Sequence, residues 1–160
     1  MKIAITPGIA TGVIDAPPSK SMAHRMLICA GLAEGISVVQ NIDLSEDIKA
    51  TLGILEALGA KYQLNDGNVV LTGIGTKELR SNQVLESRES GSTLRFFVPI
   101  VLTGIGTFEF RGAKRLLERP LGIYEDICKE QKIIFEKQET GLRLQGKIQP
   151  SHYRIAGNIS

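Results

Sequence analysis

Pro17-Pro18-Ser19-Lys20-Ser21-Met22-Ala23-His24-Arg25 sets hydroxyls and cations directly in front of the apolar run Met26-Leu27-Ile28-Cys29-Ala30. Two prolines end a strand, and the polar turn after them reads as the start of a helix. The first turn of a helix leaves backbone N–H groups unpaired and carries the positive end of the helix dipole, so a phosphate or carboxylate is stabilised there. Ser19, Lys20, Ser21 and Arg25 would add side-chain donors to such an anion site. Ordinary capping by Ser19 or Ser21, with solvated cations beside it, accounts for the same residues.

A second start of the same kind follows. Ser87-Arg88-Glu89-Ser90-Gly91-Ser92-Thr93-Leu94-Arg95 comes after the short apolar segment Val84-Leu85 and runs into Phe96-Phe97-Val98-Pro99-Ile100-Val101-Leu102. Gly35 to Gly106 and Lys20 to Gly91 are each separated by 71 residues, which makes the pattern a repeat. Each copy continues into another helical pattern and then an alternating hairpin. In the first copy the hairpin is Lys61-Tyr62-Gln63-Leu64, the turn Asn65-Asp66-Gly67 and Val69-Val70-Leu71; in the second it is Ile133-Ile134-Phe135-Glu136, Glu139-Thr140-Gly141 and Leu142-Arg143-Leu144. The same spacing puts a third start at about residue 162. Tyr153-Arg154-Ile155-Ala156 then reads as its lead-in strand and Gly157-Asn158-Ile159-Ser160 as its opening, so the chain is read as the N-terminal part of a longer protein.

The elements that must hold these starts follow from the patterning. Met26 to Ala33 and Phe96 to Leu102 are apolar nearly all round, as in buried helices, whereas the hairpins alternate as sheets with one wet face do. Helices inside and sheets outside is the expected architecture, an α/β (α+β) fold of repeated βαβαββ units. Ile48 to Leu58 is more amphipathic, with Ser45-Glu46-Asp47 as its cap and Gly59 as its stop. Pro99 lies beyond the first turn of its helix and should bend it.

Composition narrows the class. With 160 residues, 42% hydrophobic and 22% charged, the chain can bury a core as one domain. A net charge of +2 gives no argument for nucleic acid or an anionic membrane, so local cations matter more than their sum. Cys29 and Cys128 have neither pairing nor metal spacing and read as buried or half-buried thiols of a reducing compartment. His24 has no second ligand at metal spacing and reads as a packing or hydrogen-bonding residue. With no 18-residue apolar span and no charged-then-apolar leader, the expected location is the cytoplasm.

Four segments in order, Ala16 to Arg25, Glu89 to Arg95, Glu118-Arg119-Pro120-Leu121 and Gly157 to Ser160, resemble the successive motifs of the 5-enolpyruvylshikimate-3-phosphate synthases (3-phosphoshikimate 1-carboxyvinyltransferases). The resemblance covers the whole chain but only the first third or more of a typical member. It implies two globular halves, each of three βαβαββ units, with ligands in the cleft between them. Residues 1–15 would be a lead-in that joins the other half. Residues 16–160 would be the N-terminal shikimate-phosphate-binding domain, with two complete repeats and the start of a third.

The chemistry implied is transfer of the enolpyruvyl group of phosphoenolpyruvate to the 5-hydroxyl of shikimate 3-phosphate, with release of phosphate and no cofactor or metal. By motif match Lys20 would touch both ligands and serve as the catalytic residue of this half. Ser21, Arg25 and Ser160 would bind shikimate 3-phosphate. Gly91 would let its backbone approach phosphoenolpyruvate, and Arg119 would clamp that ligand through its planar fork. Ser19, Glu89, Ser92 and Arg95 form a second tier; Glu89 stands where many members carry asparagine. The acidic residues usually credited with proton transfer lie in the other half, the missing partner of this one, and a monomer is expected. The sister enolpyruvyl transferase acting on UDP-N-acetylglucosamine shares the fold, but Ser19-Lys20-Ser21 with Arg25 argues against it. RNA 3′-phosphate cyclase uses similar units, and the missing basic stripe with interleaved aromatics argues against it. A non-catalytic phosphometabolite-binding module is the remaining alternative.

Overall fold

The computed structural model describes residues 3–155 apart from Ile5 and Ala10. Its elements run α1 (Lys20–Leu32), β1 (Ile36–Val39), α2 (Glu46–Leu58), β2 (Lys61–Asn65), β3 (Asn68–Thr72), β4 (Gln83–Glu86), α3 (Gly91–Val101), β5 (Thr107–Arg111), α4 (Lys114–Leu117), α5 (Gly122–Glu130), β6 (Ile134–Gln138) and β7 (Gly141–Gln145). Both hairpins form where alternation placed them. The first turns on Asp66 and Gly67, both at positive φ, the geometry that matches the twist of the flanking strands.

The strands make two sheets, ordered β1-β3-β2 and β4-β5-β7-β6. In the second, β4 pairs parallel with β5 across α3, and β5, β7 and β6 then pair antiparallel, which completes a βαβαββ unit. The first sheet is antiparallel throughout and, among the described residues, has no counterpart of β4. The strand read before Pro17 is not formed: residues 11–19 carry no strand, and Val13 and Ile14 are almost fully exposed. Pairing, not local pattern, makes a strand, and nothing among the described residues pairs there. Tyr153 to Ile155 form no strand either, and the rest of the expected third start lies outside the described residues.

One core joins both copies, built from Leu27 and Ile28 of α1, Leu52 and Leu55 of α2, Leu94, Phe97 and Val101 of α3, and inward strand residues such as Leu71, Phe108, Phe110 and Leu144. α2 proves the most central helix. It meets α1, α3, β2 and β4, and Ile48, Leu52, Ile54, Leu55 and Leu58 are all buried. α1 packs so closely on it that a Cβ at Gly31 would lie 2.6 Å from Leu55 Cδ2. The expectation that α1 is buried all round needs correction: Met22 is 57% and Met26 50% exposed, and Cys29 is also exposed rather than buried. Cys128 is buried, and desolvation raises its thiol pKa to about 11. No helix among the described residues is long and apolar enough to cross a membrane.

Candidate functional site

The site is assembled at helix starts. α1 opens directly after Ser19, whose Oγ accepts the Met22 backbone N–H at 3.3 Å, so the hydroxyl is a cap. Lys20, the first helical residue, is exposed and pairs with Asp47 Oδ2 at 2.8 Å. Asp47 lies in the first turn of α2, where a carboxylate is favoured by the helix dipole. The pair therefore ties the start of α1 to the start of α2. Arg25, one turn on, donates from Nη1 to the Ser21 carbonyl at 2.8 Å and to Ser21 Oγ, and its guanidinium lies 5.0 Å from the centre of the Phe96 ring in α3. Stacking and hydrogen bonding hold this fork in one orientation.

A buried chain of hydroxyls underlies these starts. His24 Nδ1 meets Thr51 Oγ1 at 2.7 Å, Thr51 Oγ1 meets Thr93 Oγ1 at 2.8 Å, and Thr93 Oγ1 donates to Ser90 Oγ at 2.7 Å. Thr93 Oγ1 also approaches the Asp47 carbonyl at 3.4 Å. Ser90 caps α3 by accepting the Thr93 N–H at 3.2 Å. One polar chain thus links α1, α2 and α3 inside the core. Burial of His24 holds its pKa below the ordinary imidazole value against the opposing pull of Asp47, with Lys20 and Arg25 adding to the lowering. The ring is therefore neutral at pH 7 and works as a hydrogen-bonding strut, as its sequence context suggests.

α3 begins with Gly91, which is buried beside an arginine from a distant loop. A Cβ placed on Gly91 would lie 2.4 Å from Arg119 Nη1, so only glycine lets that guanidinium lie over the helix start. Residues 28 apart in sequence, each singled out by motif, are brought into contact. Arg119 itself is exposed. Arg95 does not reach the same place: its Nη2 donates to the Pro120 carbonyl at 3.4 Å, which holds the Arg119 loop on α3. Ser92 is exposed at the opening of α3, and Glu89 is exposed on the rim of a cleft of about 350 Å³ with Arg88, Arg111 and Thr140. Arg88, in the left-handed region, pairs with Glu46 instead. Ser160 lies outside the described residues.

These starts sit on a fold and a sequence with clear relatives. A model of the family described as EPSP synthase (3-phosphoshikimate 1-carboxyvinyltransferase) matches residues 6–150. The chain belongs to the EPSP synthase family. A 3-phosphoshikimate 1-carboxyvinyltransferase of Clostridium perfringens (strain SM101 / Type A) is 40% identical over 99% of this chain and 38% of its own length. One from Clostridium beijerinckii is 42% identical, again over 99% of this chain and 38% of the relative. The chain thus spans about 38% of the length of the relatives it matches. Among solved structures, EPSP synthase from Acinetobacter baumannii superposes with a TM-score of 0.74 over 90% of this chain and 34% of that one, at 22% identity. The enolpyruvyl transferase NikO from Streptomyces tendae superposes with a TM-score of 0.51 at 20% identity, over 81% of this chain and 31% of that one. Both likenesses speak for the fold.

Within the EPSP synthase frame, the supporting residues are those that sequence reading misses. Asp47 reads only as an acidic first-turn residue, yet it is the partner of Lys20. Thr51 lies in the amphipathic α2 and carries no motif, Thr93 falls within the second helix start but nothing there singles it out, and Tyr124 stands in an amphipathic helix with nothing to mark its hydroxyl. The spacing of 42 residues between Thr51 and Thr93 corresponds to no local period, so only the packing of α2 on α3 reveals the pair.

Proposed function

We propose that this chain supplies one wall of a site in which the enolpyruvyl group of phosphoenolpyruvate passes to the 5-hydroxyl of shikimate 3-phosphate, with phosphate leaving. The observation that carries the reading is the seat of Arg119 over Gly91 at the N-terminus of α3, where a guanidinium and the positive end of a helix dipole converge beside a backbone that carries no side chain of its own. Arg119 and Gly91 would receive phosphoenolpyruvate. Ser21 and Arg25 would receive shikimate 3-phosphate, with Ser160 a further contact by motif alone. Lys20, released from or shared with Asp47, would stabilise charge that develops as phosphate departs. Ser19 caps the first helix start, Ser92 lies exposed at the second, Arg95 holds the Arg119 loop, and Glu89 stands at the edge.

Residues 1–15 carry exposed apolar side chains, Ile9, Val13 and Ile14 among them, which suits a lead-in that packs on the other globular half. Residues 16–160 would then be the shikimate-phosphate-binding domain. The groups that protonate the methylene carbon and deprotonate the 5-hydroxyl need suitable pKa values and close geometry, and they belong to that other half. No cofactor enters the reading, and the enzyme would act as a cytoplasmic monomer.

The test uses two proteins. In the 160-residue chain, shikimate 3-phosphate should shift the amide signals of Lys20, Ser21 and Arg25, while phosphoenolpyruvate alone should not bind measurably and no phosphate should be released. Arg25→Ala should weaken the shikimate 3-phosphate titration about tenfold or more, the worth of a charge-assisted hydrogen bond. Arg119→Ala should leave it nearly unchanged and cripple a chain of the relatives' full length. Absent shifts, or equal losses in the two variants, would reduce these helix starts to caps.

A further inference from the structure

Pro99 lies inside α3, and it has no N–H to give. In an uninterrupted helix the N–H at position 99 would bond the carbonyl of Arg95, four residues earlier. That carbonyl has another donor: the Tyr124 hydroxyl, arriving from α5, at 3.0 Å. Burial raises the Tyr124 pKa, which keeps the phenol protonated and able to donate. The Arg95 side chain in turn reaches the Pro120 carbonyl, so both ends of the segment that follows Arg119 are fastened to one residue of α3.

We infer that Tyr124 is a positioning residue: Pro99 frees the Arg95 carbonyl, Tyr124 docks on it, and the docking seats the Arg119 guanidinium against Gly91. The device converts a helix defect into an attachment point for the loop that carries the cation. It deepens the reading of Arg119 and Gly91 as the phosphoenolpyruvate subsite, and for its functional consequence it rests on that reading. Its geometry does not.

Four proteins separate positioning from mere satisfaction of a carbonyl: wild type, Tyr124→Phe, Pro99→Ala and the double variant. Tyr124→Phe should lower Tm by about 2–4 °C, the loss of one hydrogen bond in a domain of this size. It should also move the Gly91 amide and Arg119 Nε–H signals in spectra of the 160-residue chain. In the double variant the Pro99→Ala substitution restores a backbone N–H to bond the Arg95 carbonyl, so Tm should recover while the Gly91 and Arg119 signals stay displaced. In the chain of full family length, KM for phosphoenolpyruvate should rise about 3- to 10-fold in both Tyr124 variants, with KM for shikimate 3-phosphate unchanged. Return of the Gly91 and Arg119 signals to their wild-type positions in the double variant, or no displacement in Tyr124→Phe, would overturn the inference. Displaced signals with an unaltered KM for phosphoenolpyruvate would uphold the positioning and refute the assignment of that subsite.

Discussion

Substituting Gly91 by alanine puts the proposed phosphoenolpyruvate contact under the most direct strain. The new methyl would stand 2.4 Å from Arg119 Nη1, about 1 Å closer than an ordinary van der Waals contact. Nothing else blocks it severely, since the next atoms of Arg119 lie at 3.4 and 3.8 Å. The tip of an exposed arginine can swing away cheaply, and alanine is the better helix former by up to about 1 kcal/mol, so the domain should keep its stability or gain slightly. The ligand site should not. Losing a charge-assisted hydrogen bond of about 1.5–3 kcal/mol predicts, on the proposed function, a rise of about 10- to 150-fold in KM for phosphoenolpyruvate in a chain of the relatives' full length. Gly73→Ala is the control, because its Cβ would meet the Ala33 carbonyl oxygen at 2.1 Å and the Ala30 carbonyl oxygen at 2.6 Å. Backbone cannot step aside, and a destabilisation of at least about 1–3 kcal/mol is expected there. Thermal unfolding and steady-state kinetics on both variants decide the matter. A Gly91→Ala protein that loses as much stability as Gly73→Ala, or that binds phosphoenolpyruvate as wild type does, refutes the reasoning.

Three further outcomes are expected. The folded state holds His24 neutral, so the unfolded state binds the extra proton as pH falls below about 6.5; stability should therefore drop on acidification through that range, and His24→Gln should flatten the drop in urea titrations at about pH 7.5 and 5.5. Thr51→Val keeps the volume but removes the hydroxyl between His24 and Thr93, and should cost about 1–3 kcal/mol in the same titration, whereas Thr51→Ser should cost less. An alkylating probe at about pH 8 should label exposed Cys29 and spare Cys128, whose buried thiol stays protonated until the protein unfolds; equal labelling by mass spectrometry would contradict the packing.

Periodicity alone makes the repeat, both hairpins and the three long helices legible in the sequence. Asn65-Asp66-Gly67 and the two glycines at Gly35 and Gly106 have local causes, and local causes survive folding. The motif residues are legible as types: a serine cap, a cation at a helix start, a glycine where backbone must be approached. What the sequence does not carry is who touches whom. The Lys20–Asp47 pair spans 27 residues and the Thr51–Thr93 contact 42, and neither has a signature short of the tertiary packing of α2 between α1 and α3. The errors have the same origin. The strand expected before Pro17 rests on prolines read as a strand's end, with nothing to say what it would pair with, and the burial expected all round α1 rests on hydropathy, which does not say how many neighbours are present to cover a helix.

The repeat itself explains how one structural plan yields two unlike helix starts. Lys20 and Gly91 are equivalent under the 71-residue offset, and so are Arg25 and Phe96. The second pair meets in space, the guanidinium of one copy over the ring of the other, so the two helices present equivalent positions to each other across their packing surface. Divergence at such positions is complementary: a cation in one copy is held by an aromatic face in the other. At the helix starts the difference runs the other way. The first copy places its own charge, Lys20, at the first position and holds it with a carboxylate from α2, while the second leaves that position bare and imports its charge, Arg119, from beyond β5. A charge carried on the helix start moves with the helix; one imported on a loop needs a separate anchor. That is the physical reason a device such as the Tyr124 bond to the Arg95 carbonyl belongs to the second copy and has no counterpart at Lys20.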